Sequence, residues 1–167
     1  MVERLDFVTR FGGVFEHSPF LAERAYDAGL IEEPLRAMEV HDALSAMFRT
    51  ASRPEKLGVL KAHPDLAGKL VIAGELTEDS RREQAGAGLD RLSAEEHARF
   101  TALNQAYTEK FGFPFIIAVK GLDRDDILKA FEARLDNGLD QEFETAAAQV
   151  EKIARLRLEA MFAEPSA

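Results

Sequence analysis

The longest amphipathic pattern of the chain covers residues 140–161 and constrains the fold more than any other stretch. Its apolar residues recur at spacings of three and four, which is the period of one face of an α-helix. They are Phe143, Ala147, Val150, Ile153, Ala154, Leu158 and Met161. A face of this kind has to be buried against other elements. We therefore predict that residues 140–161 form the last and longest helix of the chain.

Shorter patterns with the same spacing predict further helices, and each is bounded by residues that typically begin or end helices. The start signals are Ser18-Pro19, Pro54, Thr77, Ser93 and Asp123, and the end signals are Gly12-Gly13, Gly29 and Asn137-Gly138. Residues 113–119 (FPFIIAV) differ, because their aromatic and β-branched side chains favour a buried strand. The sequence offers no second strand of comparable quality to pair with this one.

Length and composition limit the domain organisation and the chemistry. With 167 residues and no internal repeat, low-complexity tract or linker, the chain is predicted to form one domain over residues 1–167. It has no cysteine, which excludes disulfides, a thiolate nucleophile and cysteine-ligated metal centres. The four histidines are far apart and show neither His-x-His nor His-Glu-x-x-His spacing, so no metal site is predicted.

The charge of the chain bears on its partners and location. Its formal net charge is −9, and its basic residues are scattered among carboxylates, so neither nucleic acid nor an anionic membrane surface is an expected partner. No apolar run approaches the roughly 18 residues of a membrane span, and the first six residues are too charged for a signal peptide. We expect a soluble, cytoplasmic protein.

His63 is the first candidate catalytic residue. Imidazole is the side chain best matched to proton transfer near neutral pH, and His63 lies where a helix is predicted to end, just before Pro64. This position suggests an imidazole presented to a ligand. A histidine before proline is, however, more often a turn or packing residue, and the residues alone leave both interpretations open.

A second group of polar residues follows about one helix later. Ser80, Glu83 and Gln84 would share one face of a helix and could converge on one ligand. The Ser-x-x-Glu spacing also fits a capping box, in which both side chains only satisfy backbone amides at a helix start. If Thr77 is the N-cap instead, Ser80 and Glu83 lie inside the helix and the functional interpretation gains.

Four long motifs, in the same order over nearly the whole chain, resemble the OHCU decarboxylase family. They are VFEHSPFLAERA (14–25), AHPDLAGK (62–69), SRREQAGAGL (80–89) and EKFGFPFIIAVKG (109–121). The family converts 2-oxo-4-hydroxy-4-carboxy-5-ureidoimidazoline (OHCU) to allantoin in urate degradation. The resemblance implies an all-α fold in which residues 113–119 run extended past the active site.

The resemblance also implies a set of site residues. His63 and Glu83 would be the catalytic pair, with His63 acting on the substrate hydroxyl and Glu83 positioning or protonating the ring. The substrate-binding residues would be Pro64, Ser80, Arg81, Glu83, Gln84, Ile116, Ile117, Ala118, Val119 and Lys120. No cofactor is expected, because the substrate supplies its own electron sink. The product would be (S)-allantoin, and the protein would be a homodimer.

Two details and two rival functions stay open. Lys120 stands where some relatives have arginine, and lysine lacks the planar fork for a bidentate carboxylate contact, so its side chain or its backbone could anchor the substrate. Asp65 could orient His63 or cap a short helix. The rival functions are a non-catalytic helical binding module and a different lyase or hydrolase that acts on a ureido or hydantoin ring.

Overall fold

The computed structural model describes residues 2–67 and 76–163, and the part it describes contains eight α-helices and no β-strand. The helices are α1 (Arg4–Phe11), α2 (Phe20–Asp27), α3 (Ala37–Thr50), α4 (Arg53–Lys61), α5 (Glu78–Gly86), α6 (Ala94–Phe111), α7 (Arg124–Leu135) and α8 (Leu139–Ala163). The all-α prediction is confirmed. The expected last and longest helix is α8, whose length is 25 residues. No described helix is both long and apolar enough to cross a membrane.

Contacts within the chain divide it into two compact units. The first consists of Met1–Ala62 and Val150–Ala167, and the second is His63–Gln149. Every predicted site residue belongs to the second unit. The prediction of a single domain over the whole chain stays a prediction.

Aromatic side chains dominate the core of the first unit. The rings of Phe15 and Phe48 lie 5.5 Å apart, and the rings of Phe11 and Phe162 stack at 5.8 Å. Three apolar residues lie outside the main apolar face of α8, and as a sequence pattern they suggest an oligomer contact: Leu156, Ala160 and Phe162. In the structure the ring of Phe162 packs on α1 of the same unit.

The second unit has its own aromatic core, centred on Tyr107 of α6. The rings of Phe111, Phe113, Phe115 and Phe131 all lie within 6 Å of the Tyr107 ring. Phe115 also stacks on Phe131 of α7, with ring centroids 3.9 Å apart. The segment 113–119 is therefore fixed between α6 and α7 by its aromatic residues, although it is not part of a sheet.

Helix boundaries follow the capping signals in most places. Ser93 and Asp123 each form a capping box, with Glu96 and Asp126 respectively, at the starts of α6 and α7. The prediction for α2 is wrong in one respect, because this helix begins at Phe20 and no side chain caps it. The Ser18 hydroxyl donates instead to the backbone oxygen of Glu16, at 3.1 Å.

His41 also differs from expectation. Its charged neighbours in the sequence predict a position on the wet face of α3. In the structure it is buried, with Nε2 lying 2.9 Å from the backbone oxygen of Glu151 and 3.3 Å from the Ser45 hydroxyl. Nε2 of the imidazole therefore faces α8, where the Glu151 backbone oxygen lies within hydrogen-bond distance.

Candidate active site

Helix α5 carries four of the predicted site residues, and its start decides how two of them can act. The Thr77 side chain is the N-cap and accepts a hydrogen bond from the Ser80 amide at 3.2 Å. Ser80 and Glu83 therefore lie inside the helix, where the capping-box interpretation of the Ser-x-x-Glu spacing does not apply. Their side chains are not consumed by a helix start.

The residues of α5 differ in exposure according to the helical period. Ser80 and Gln84, four residues apart, are buried with 4% and 3% of their surface exposed. Glu83 is half-buried, and Arg81 is exposed. Ser80, Glu83 and Gln84 thus share the protein-facing side of α5, whereas Arg81 lies on the solvent side. A substrate contact from Arg81 would have to come from that side.

Gln84 fastens the loop that follows His63. Its Oε1 accepts a hydrogen bond from the Ala67 amide at 2.9 Å, and its Nε2 donates to the Asp65 backbone oxygen at 3.2 Å. One side chain therefore satisfies a donor and an acceptor of the same loop. The sequence analysis did not predict these two hydrogen bonds, because it interpreted Gln84 as a polar contact to the substrate. Each of the two amide atoms retains capacity for one more hydrogen bond.

Asn104 of α6 holds the same loop from another direction. Its Nδ2 donates to the Leu66 backbone oxygen at 2.8 Å. Ala67 has a φ of 53°, a left-handed conformation that costs a non-glycine residue about 1–2 kcal/mol. The three hydrogen bonds from Gln84 and Asn104 hold the backbone in this shape.

His63 and Pro64 precede this fixed loop directly. His63 is buried, with 6% of its surface exposed, and Pro64 is half-buried. Asp65 is exposed as a whole residue, but the surrounding protein partly desolvates its carboxyl group and raises its pKa. The imidazole therefore lies at the end of a segment anchored by buried hydrogen bonds.

The predicted binding segment 116–120 is anchored to two other helices. Arg134 Nη1 of α7 donates to the Ile116 backbone oxygen at 2.7 Å, and Gln149 Oε1 of α8 accepts from the Ala118 amide at 2.9 Å. Ile116, Ala118 and Val119 are buried, Ile117 is half-buried and Lys120 is exposed. Two backbone groups of this segment are thus paired with side chains, where a sheet would use another strand.

Arg134 belongs to a buried ion-pair network. Its Nε donates to Glu142 Oε1 at 2.6 Å, and Tyr107 donates to the same oxygen at 2.5 Å. Asn137 Nδ2 donates to Glu142 Oε2 at 2.9 Å. Burial, followed by the hydrogen bond to Glu142, raises the pKa of Tyr107 far above its usual range, so this hydroxyl stays a donor. Arg134 also lies over the Phe115 ring, 4.3 Å from its centroid.

An open cavity of about 330 Å³ lies between the end of α5 and the start of α7. Its lining residues are Gly86, Ala87, Gly88, Arg91, Leu122, Asp123 and Arg124. The lining comes from the end of the helix that carries Glu83 and from the turn that follows Lys120, and it includes none of the predicted site residues. Among the residues described, no three His, Asp or Glu side chains are grouped so that they could share a metal ion.

The sequence analysis did not identify Arg134, Glu142, Tyr107 and Gln149 as parts of the site. The spacing of Tyr107 from Phe100, Leu103 and Phe111 predicts only a place on the apolar face of α6, and the other three residues lie within predicted helices without a distinguishing motif. Only one signal points to this network: the apolar segment 113–119 has backbone groups that need partners, and no strand to supply them. That signal predicts polar residues on neighbouring helices but does not say which.

In its described residues the second unit is helical, and it holds a buried imidazole in a loop that is bonded to a carboxylate-bearing helix; these are residue types that acid–base enzymes use. A sequence model of the OHCU decarboxylase family matches residues 1–159. The chain is also 42% identical, over 96% of its own length and 94% of the relative's, to 2-oxo-4-hydroxy-4-carboxy-5-ureidoimidazoline decarboxylase from Haloferax volcanii. The chain therefore belongs to the OHCU decarboxylase family.

Solved structures agree with this assignment. A crystal structure of (S)-allantoin synthase superposes with a TM-score of 0.75 at 31% identity, covering 95% of this chain. The chain spans about half of that protein, 50% of its length. A crystal structure of OHCU decarboxylase in the presence of (S)-allantoin gives a TM-score of 0.69 at 25% identity, covering 87% of this chain and 92% of that one.

Proposed function

We propose that this protein is a cofactor-independent carboxy-lyase that converts OHCU to (S)-allantoin and CO2. The observation that carries the proposal is family membership over nearly the whole chain, with a relative of that name at 42% identity. The reaction would complete the conversion of urate to allantoin. The crystal structure of the related OHCU decarboxylase in the presence of (S)-allantoin supports the identity of the product.

The chemistry fits residues of the acid–base type. In OHCU one ring carbon carries both the carboxylate and a hydroxyl, and a ring C=N bond lies next to it. When the bond to the carboxylate breaks, its electron pair moves towards this C=N bond, and CO2 leaves. The ring nitrogen that receives the pair takes up one proton. The hydroxyl proton is then lost as that oxygen becomes a ring carbonyl, and a second proton is added at the carbon that bears the ureido group. The ring itself receives the electrons.

In this scheme His63 takes the hydroxyl proton, and Glu83 positions the ring or delivers the proton to the ureido-bearing carbon. The burial of His63 in an anchored loop supports its part, since a general base has to be held at a fixed distance from the proton it takes. Delivery to one face of the ring makes the product a single enantiomer.

The remaining predicted contacts divide between two regions. Pro64, Ser80 and Gln84 would border the ring on the His63 side, and the backbone of residues 116–120 would border it on the other. Lys120 is exposed, which suits an anion anchor at the rim better than a contact deep in the site. The side chain of Arg81 would act only at the rim as well.

We extend the proposal to the assembly and location. The family resemblance supports a homodimer, and the sequence composition supports a cytoplasmic location. Light scattering of the purified protein tests the dimer, which would give about twice the 18.5 kDa mass of one chain. A mass equal to one chain at micromolar concentration would contradict it.

Circular dichroism of the product tests the activity. Urate would be oxidised and hydrolysed in situ to supply OHCU, and the signal of allantoin would be followed with and without this protein. Rapid appearance of optically active allantoin would support the proposed function. A slow signal that the protein does not change would contradict it and favour a helical binding module.

A further inference from the structure

The segment 116–118 is held at two backbone groups that are two residues apart. The Arg134 guanidinium donates a hydrogen bond to the Ile116 carbonyl, and the Gln149 side-chain oxygen accepts one from the Ala118 amide. In an extended chain the peptide groups of residues i and i+2 point to the same edge. Residues 114–119 lie in no helix, strand or turn, and none of them has a positive φ. We infer from this that the segment is extended and that both side chains bond to one of its edges.

In the same extended geometry, the amide and the carbonyl of the intervening residue, Ile117, point to the opposite edge. Ile117 is half-buried between two buried neighbours, and within the part of the chain that the structure describes, neither its amide nor its carbonyl has a hydrogen-bond partner. The Val119 carbonyl closes the following turn by accepting from the Leu122 amide at 3.0 Å. Ile117 thus offers one donor and one acceptor, side by side.

The hydrogen bond from Arg134 to the Ile116 carbonyl comes from a side chain that is held rigidly. The guanidinium is fixed by Glu142, which is completely buried and itself receives hydrogen bonds from Tyr107 and Asn137. The guanidinium carbon also lies 4.3 Å from the centroid of the Phe115 ring, and this contact restricts its movement further. At Ala118 a single neutral hydrogen bond, which the amide donates to Gln149 Oε1, fixes the orientation of the peptide group.

We propose that Arg134 and Gln149 are positioning residues of the proposed decarboxylase. Their hydrogen bonds to the Ile116 carbonyl and the Ala118 amide orient the amide and the carbonyl of Ile117 towards the ligand. There the two Ile117 groups pair with the N–H and the C=O that lie next to each other in a cyclic amide or a ureido group. The inference rests on the proposed function for the identity of the ligand. The orientation of the segment rests on the hydrogen bonds of Arg134 and Gln149.

Gln149 offers the sharper test, because it is half-buried and uncharged. Gln149→Met keeps the size of the side chain and removes the acceptor for the Ala118 amide, whereas Gln149→Glu keeps an acceptor. Gln105→Met is a matched control, since Gln105 is exposed on α6 and bonds only to Glu109 there. We expect Gln149→Met to raise KM, and the dissociation constant of (S)-allantoin, about fivefold to tenfold. Gln149→Glu and Gln105→Met should stay within about twofold of the unmodified protein.

A second readout does not depend on activity. Loss of the hydrogen bond in Gln149→Met should speed hydrogen exchange at the Ala118 amide about fivefold or more, and Gln149→Glu should not. If the unmodified protein does not decarboxylate OHCU, the proposed function fails. The exchange result then still tests whether Gln149 holds the Ala118 amide. If the protein is active and Gln149→Met changes neither KM nor exchange, the positioning role is wrong. Faster exchange with unchanged KM and allantoin binding would also overturn it, because the contact would then be structural only.

Arg134→Lys provides an independent variant. Lysine keeps the positive charge against Glu142 but cannot bond to Glu142 and the Ile116 carbonyl with one planar fork. We expect KM to rise by about tenfold or more in the folded fraction, with a smaller change in kcat. A loss of folded protein with unchanged KM in what remains would contradict the proposal.

Discussion

Asn104 and Tyr107 lie three residues apart on α6, and each anchors a different segment of the candidate site. Asn104 donates to the Leu66 backbone oxygen in the loop after His63. Tyr107 donates to Glu142, which fixes Arg134 and, through it, the carbonyl of Ile116. Residues three apart share one face of a helix. A single turn of α6 therefore sets the positions of both the proposed base and the proposed binding segment.

The proposed catalytic pair gives the first prediction. His63→Ala and Glu83→Ala should each lower kcat by about a hundredfold or more, because each removes one acid–base group from the reaction. The rate of formation of optically active allantoin measures this. His97→Ala on α6 is the control for the histidine and should keep near-normal activity. A folded variant of either proposed residue with a normal rate would remove that residue from the mechanism.

Asn104→Leu should affect both stability and catalysis. The substitution leaves the Leu66 carbonyl without its donor and loosens the loop behind His63, which should cost about 1–3 kcal/mol of unfolding free energy. We expect turnover to fall about tenfold, since small displacements of a general base are costly. Urea unfolding and steady-state kinetics measure the two effects. Gln105→Leu, at the exposed neighbouring position, should change neither.

Tyr107→Phe probes the buried network with a minimal change. It removes one donor from a carboxylate that is fully buried, so we expect a loss of about 1–3 kcal/mol in unfolding free energy. Tyr26→Phe is the matched control, because the Tyr26 hydroxyl donates to a part-buried backbone oxygen, that of Val2. The loss there should be about 1 kcal/mol or less. Equal losses in the two variants would contradict the special role of Glu142 as a buried acceptor.

Glu55 should contribute to the acid sensitivity of the fold. The hydrogen bond from Arg24, and then that from the Ser52 amide, lowers the pKa of Glu55 from 4.5 to about 2. A lowered folded-state pKa stabilises the protein above pH 4.5, and this contribution is lost as the pH falls from 4.5 towards 2. Thermal unfolding at pH 6 and pH 3 should therefore show a smaller difference for Glu55→Gln than for the unmodified protein.

The Glu55 effect should be small and should weaken in salt, because the pair with Arg24 is exposed to solvent. Glu144→Gln, at an exposed position of α8, is the comparison variant. If both variants show the same pH dependence as the unmodified protein, the capping carboxylate does not contribute to acid unfolding.

Local patterns predicted much of this fold. The Thr77 cap, the Ser93 box and the apolar face of α8 each depend on residues a few positions apart, and the helices that they predict are present. The same local reasoning also showed that residues 113–119 lack a partner strand. Such features are encoded within one helix or one turn.

The errors and omissions concern partners that are distant in the sequence. His41 was placed on the surface because its neighbours are charged, but its partner is Glu151, more than 100 residues later. Tyr107 and Glu142 are 35 residues apart. Gln84 was expected to face the substrate, and nothing near it in the sequence indicates that it bonds to Asp65 and Ala67. Contacts of this kind depend on how helices pack, which periodicity does not specify.

The left-handed backbone at Ala67 has a consequence for how this site could be transplanted or redesigned. A peptide containing residues 63–67 alone would abandon that conformation, because its intrinsic preference opposes it by about 1–2 kcal/mol. The loop keeps its shape only while Gln84 and Asn104 oppose this preference. The backbone geometry after His63 is therefore determined by side chains of α5 and α6. A graft of the histidine loop without these two helices would keep the residues but lose their arrangement.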